Sequence, residues 1–143
     1  MFVYEIKSPT LSELISFLYV TKDDFIPSLD LRVNIEEYAN KLYRNADFVV
    51  CRYDNNIVGL VCYYQNRPPI GYISHVGVLK LYRRMGVMRE MFYLLQKNAA
   101  IRSIKELGLE VSRSNFPAIK AYTKLGFQIS RNTDKSIYMR CEL

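Results

Sequence analysis

The stretch from Gly71 to Met88 constrains the fold more than any other. A β-rich run, Gly71–Leu79, passes through a basic turn, Lys80-Leu81-Tyr82-Arg83-Arg84-Met85-Gly86, directly into a helical pattern. From Val87 to Arg102 apolar residues recur at Met88, Met91, Phe92, Leu95 and Ala99, the spacing of one buried helix face. A strand that feeds such a helix needs a sheet for the helix to pack on, so this segment points to an α/β domain.

The remaining elements can be read outward from it. Phe2–Ile6 alternates as a short strand, and Thr10-Leu11-Ser12-Glu13 has the capping-box pattern that opens a helix to about Val20. Asn34 caps a second helix running to about Asn45, with Glu37 three residues on. Asp47–Tyr53 and Ile57–Gln65 form a hairpin around Asp54-Asn55-Asn56, residues that tolerate left-handed backbone. Leu107–Val111 reads as a strand, Pro117–Leu125 as a helix, and Phe127–Ser130 with Ser136–Glu142 as a last hairpin. The predicted order is β α α β β β α β α β β, with Thr21–Pro27 and Asn66–Gly71 as loops. No linker or repeat divides the 143 residues, so one domain over 1–143 is expected.

Composition excludes several classes. Half of the residues are hydrophobic, which argues against disorder, and no run approaches the ~20 apolar residues of a membrane span. The N-terminus lacks a signal-peptide pattern, so a cytoplasmic location without membrane contact is expected. Cys51, Cys62 and Cys141 lie apart in apolar runs and read as core residues; neither a disulfide framework nor a metal site is indicated.

Charge is unevenly spread. Residues 1–70 carry seven Lys/Arg against nine Asp/Glu, and residues 71–143 carry thirteen against five. The basic half suggests an anionic partner. At the turn before Val87 the first helical N–H groups lack intrahelical partners and lie at the positive end of the helix dipole. Gly86 allows a phosphate close to the backbone, with Lys80, Arg83, Arg84 and Arg89 around it. The cations cluster there rather than along an aromatic-interleaved stripe, so nucleic acid is not expected as a partner.

A second segment, Val111-Ser112-Arg113-Ser114-Asn115-Phe116-Pro117-Ala118-Ile119-Lys120-Ala121-Tyr122-Thr123-Lys124-Leu125-Gly126-Phe127, resembles the end of a GNAT (GCN5-related N-acetyltransferase) domain through Asn115, Ala118, Tyr122, Gly126 and Phe127. The basic turn is similar to the same family's acetyl-CoA motif through Arg83, Gly86 and Met88, where Met88 replaces a small residue. The predicted element order is also the GNAT order. The resemblance implies an α/β GNAT fold: a mixed, mostly antiparallel central sheet of about seven strands, flanked by four helices, with strands 4 and 5 splayed.

It further implies an acetyl-CoA-dependent N-acetyltransferase that uses acetyl-CoA as co-substrate and no metal. By similarity, backbone groups of Val76 and Val78 hold the pantetheine arm, and Arg83, Arg84, Met85, Gly86, Val87 and Met88 hold the pyrophosphate. Asn115 lies against the cofactor arm and also suits a helix N-cap. Tyr122 takes the place of the general acid, and His75 is the candidate base, although Ser74 and His75 stand where some sugar-amine members show a Glu-Asp pair. The acceptor site draws on Thr21–Val33, whose Asp23, Asp24 and Asp30 would either attract a cationic amine or form a solvated loop. A small-molecule primary amine, such as an amino sugar, is the expected acceptor. The rival readings are a non-catalytic acyl-CoA-binding domain and a protein N-terminal acetyltransferase. Homodimerisation through the exposed face of the last hairpin is a further expectation from the family.

Overall fold

The computed structural model describes residues 1–143. Local signals start the elements where they should. The Glu13 N–H donates to the Thr10 hydroxyl at 3.1 Å and the Thr10 N–H to the Glu13 carboxylate at 3.0 Å, closing the capping box of α1 (Leu11–Thr21). Asn34 Oδ1 accepts from the Glu37 N–H at 3.0 Å to cap α3 (Ile35–Asn45). Asp54 and Asn55, at φ 50° and 66°, make the left-handed turn between β2 (Asp47–Tyr53) and β3 (Asn56–Tyr64). The other elements are β1 (Phe2–Glu5), α2 (Leu29–Arg32), β4 (Ile70–Val78), α4 (Val87–Ile101), β5 (Glu106–Ser112), α5 (Phe116–Lys124), β6 (Gln128–Asn132) and β7 (Ser136–Glu142).

Four helices were expected, and the structure has a fifth, α2, inside the stretch read as a loop. Leu29 is fully buried there, and a single helical turn satisfies the backbone that its burial takes from water. Four residues are too few to show a helical period in sequence.

The strands form one sheet in the order β1-β2-β3-β4-β5-β7-β6, antiparallel except for the parallel β4–β5 pair. That pair is brief: Ile70, Gly71 and Tyr72 pair with Glu106, Leu107 and Gly108, after which β4 continues to Val78 and β5 to Ser112 unpaired with each other. The expected splay of strands 4 and 5 is therefore present. Opposite β3, Cys62 faces His75 and Tyr63 faces Ile73, so Ser74 is an extra, bulged residue. Such a bulge bends a strand and reverses which face the following side chains occupy. Ile73 thus joins the core on the α4 side, whereas His75 turns to the side of α1 and α3.

Period-two alternation divides the core between the two faces. Val49, Cys51, Val61 and Tyr63 pack with Met91, Phe92 and Leu95 of α4, while Phe48, Val50, Leu60 and Cys62 pack with Leu14, Leu18, Ala39 and Leu42 of α1 and α3. Each large apolar side chain so enclosed contributes about 1.5–3 kcal/mol relative to exposure. Cys51, Cys62 and Cys141 are free and buried, as expected. No helix is long and apolar enough to cross a membrane.

Candidate active site

Where β4 and β5 part, they leave a cavity of about 100 Å³ lined by His75 and Val76 of β4, Val111 of β5, and Asn115 and Tyr122 from the start and body of α5. His75 belongs to the α1/α3 face of the sheet, and Tyr122 packs on the α4 face against Phe92 and Phe127 at ring distances of 6.1 and 6.0 Å. Closed strands would separate these two side chains by the sheet itself. The splay is what gives both access to one cavity.

His75 is 4% exposed. Its ring lies 4.7 Å from that of Phe25, and its Nδ1 is 3.2 Å from the Tyr38 hydroxyl. The Tyr38 hydroxyl also lies 3.3 Å from the Ser74 carbonyl; in the tautomer where its proton goes there, the His75 Nδ1–H donates to the Tyr38 oxygen and Nε2 is the acceptor. Nε2 is buried and has no partner in the protein. Burial, reinforced by the charge of Arg32, lowers the His75 pKa to about 4. The imidazole is therefore neutral around pH 7.

Burial alone pushes the Tyr122 hydroxyl up to about 12, which keeps it protonated. Asn115 acts as the α5 N-cap, its Oδ1 accepting from the Ala118 N–H at 3.3 Å, and it lines the cavity as well.

The turn before α4 has an unusual backbone. Arg84 and Gly86 have φ of 63° and 81°, so two left-handed residues flank the exposed Met85 and aim the chain into the helix. No side chain caps this helix, and the N–H groups of Val87 and Met88 have no intrahelical carbonyl to meet. Met88 is half-buried, its side chain packed against the core. Arg83 is engaged elsewhere: its Nη2 donates to Asp24 at 2.8 Å and its Nε to the Val78 carbonyl at 3.1 Å.

Further along β4, the Leu79 N–H donates to the Val58 carbonyl on the β3 side. By strand alternation the backbone groups of Val76 and Val78 then face the open gap. That edge, where Arg83 occupies the Val78 carbonyl, the left-handed Gly86 and the uncapped α4 N-terminus together suit an elongated ligand with an amide-containing arm and a phosphate end.

The carboxylates of the α1–α3 connection are occupied. Asp23 and Asp30 share Lys22 and the Ser28 hydroxyl, and Asp24 holds Arg83. Two charged residues that sequence reasoning passed over line the cavity instead: Arg32 from α2 and Glu110 from β5. Arg32 and Glu110 stand 78 positions apart, and the one sequence signal is that Glu110 lies five residues before Asn115. No three His, Cys, Asp or Glu side chains gather as a metal site.

A gap of this form, opening on an uncapped helix N-terminus, has room for the arm and phosphates of an acyl-CoA. The acetyltransferase (GNAT) family model matches residues 11–127, and the chain belongs to that family. It is similar over 98% of its length to Ard1 from Thermoplasma volcanium, with 19% identity, TM-score 0.83 and 97% of that chain covered. It also resembles the PaiA N-acetyltransferase from Thermoplasma acidophilum, solved with coenzyme A, with 14% identity, TM-score 0.77 and 99% of both chains covered. A streptothricin acetyltransferase from Bacillus anthracis, solved with acetyl coenzyme A, matches 73% of this chain and 67% of its own at 25% identity and TM-score 0.65. A comparison with curated protein sequences gives no match. The protein is an acetyl-CoA-dependent N-acetyltransferase with acetyl-CoA as its co-substrate.

Proposed function

We propose that the enzyme acetylates the primary amine of a small molecule, amino sugars included, by direct attack of the amine with Tyr122 as general acid. The observation that carries this reading is the meeting of His75 and Tyr122, from opposite faces of the sheet, in the cavity at the β4–β5 splay. Bound acetyl-CoA supplies an activated thioester and a departing sulfur. Backbone groups of Val76 and Val78 hold the pantetheine arm, and the turn Arg83–Met88 holds the pyrophosphate through the N–H groups of Gly86, Val87 and Met88 with the charge of Arg84. Met85 contributes backbone only, and Arg83 braces the turn from behind. The Val76 N–H, aimed into the gap, polarises the thioester carbonyl.

Tyr122, held protonated by burial, donates to the sulfur as charge develops there. His75 cannot strip a proton from an ordinary ammonium of pKa ~10.4 when its own value is about 4. Its Nε2 instead accepts an N–H from the neutral amine and orients the lone pair. The amine's proton passes to solvent water through the open mouth of the cavity. Asn115 steadies the cofactor arm from the α5 N-cap.

The test is thiol release from acetyl-CoA against a panel of amines, with a peptide N-terminus among them and Tyr122→Phe alongside. Release with a small amine that depends on Tyr122 supports the proposal. Turnover of the peptide alone supports N-terminal acetylation, and acetyl-CoA binding without release from any amine supports a non-catalytic domain; either overturns it.

A further inference from the structure

The mouth of the cavity carries charge that the transfer reaction does not require. Arg32 and Glu110 line both the inner cavity and a second, open recess of about 490 Å³ that continues outward past Arg113, Asp134 and Lys135. Neither Arg32 nor Glu110 forms an ion pair within the protein, whereas the acids of the same connection are all paired. The backbone of Arg32 is fixed in place, while its side chain is exposed at the mouth. The residue ends α2 between the fully buried Leu29 and the buried Ile35, and the Val33 N–H closes the turn on the Leu29 carbonyl at 3.0 Å. Its charge reaches inward far enough to act on His75, Tyr38 and Tyr72.

A guanidinium without a partner, beside an apolar wall of Phe25 and Ile26, is a site for a planar or tetrahedral anion. Across the cavity Glu110 offers the opposite charge. With Arg113 and Lys135 against Asp134, the outer recess adds one further positive charge. An acceptor with two or more amines and no acid would bring its second cation into this field and be repelled. A zwitterion would satisfy both sides, its nitrogen towards Glu110 and His75 and its anion towards Arg32.

We propose that the acceptor is an amine that also bears an anionic group, a carboxylate or a phosphate, and that Arg32 binds that group. This deepens the transferase reading above and rests on its placing the acceptor in this cavity. A charge-assisted contact of this type corresponds to roughly a 10- to 100-fold gain in affinity.

The experiment is calorimetric titration of the coenzyme A-bound protein with two matched pairs: L-methionine against L-methioninamide, and glucosamine 6-phosphate against glucosamine. At least one anionic member binds tenfold or more tightly than its neutral counterpart, and in Arg32→Gln that ratio falls to within about twofold. The pair that responds distinguishes carboxylate from phosphate. Equal binding within both pairs, or a preference that survives Arg32→Gln, overturns the proposal. Because binding is read without turnover, an Arg32-dependent preference without thiol release from these amines would leave the anion site standing and overturn only the Tyr122-dependent transfer to a small amine proposed above.

Discussion

Arg83 Nη2 lies 2.8 Å from the Asp24 carboxylate, 59 residues away in sequence, and joins the turn before α4 to the α1–α3 connection. The same guanidinium donates to the Val78 carbonyl, at the edge of the gap. A residue that the family motif places at the pyrophosphate thus ties the turn before α4 both to the α1–α3 connection and to β4. Both partners are about two-fifths exposed, so the pair adds little stability, under about 1 kcal/mol. Its value is geometric. Asp24→Ala should leave acetyl-CoA affinity within about twofold while raising the acceptor KM several-fold, as steady-state kinetics in both substrates will show.

Tyr122→Phe separates chemistry from packing. The ring contacts with Phe92 and Phe127 persist, and loss of the buried hydroxyl should shift stability by less than about 1 kcal/mol. If the hydroxyl is the acid, kcat falls about 10²–10⁴-fold with coenzyme A affinity unchanged. A variant that retains more than about a third of wild-type kcat excludes that role.

His75 predicts a pH-dependent stability. Its folded pKa, about 4, is depressed below the ordinary value of 6.5, so the unfolded chain binds the extra proton more readily. The stabilisation is complete above pH 6.5 and declines as pH falls from 6.5 towards 4. Thermal melts across that window should drop for the wild type and more shallowly for His75→Gln. Parallel slopes for the two proteins would show that another group is responsible.

Gly86→Ala tests the left-handed start of α4. A Cβ at φ 81° costs about 1 kcal/mol, and it would lie 3.1 Å from Arg89 Nη2, which can swing away. The melting temperature should fall by a few degrees, and acetyl-CoA affinity should fall tenfold or more because the turn must re-aim its N–H groups. Met88→Ala is the contrasting variant. Met88 packs on the core and would offer the cofactor only its backbone N–H, which Ala keeps, so acetyl-CoA affinity should stay within about twofold.

Much of the fold is legible in local signals, because those signals are complete within a few residues. Thr10 and Glu13 close their own capping box, Asp54 and Asn55 supply their own turn, and the stripe Met91, Phe92, Leu95 and Ala99 identifies its own buried face. The motif residues are legible too, since Asn115 and Tyr122 share one helix and Gly86 opens another. Helix α2 was not, because its one turn is specified by the burial of Leu29 rather than by any period.

The sequence by itself determined the element order, the caps and turns, and the family motif, all of which depend on interactions between near neighbours in the chain. Only the tertiary structure decided which charges are free. Asp24 looks available to an amine until Arg83 arrives from 59 positions away, and Arg32 and Glu110 look like ordinary surface residues until the splay places both at one cavity. The state of His75 is likewise tertiary: the bulge at Ser74 turns it into the face where Tyr38 and Phe25 bury it. The physical reason is common to all three. Electrostatic pairing and desolvation depend on distance in space and on exclusion of water, and neither is written in the spacing of residues along a chain.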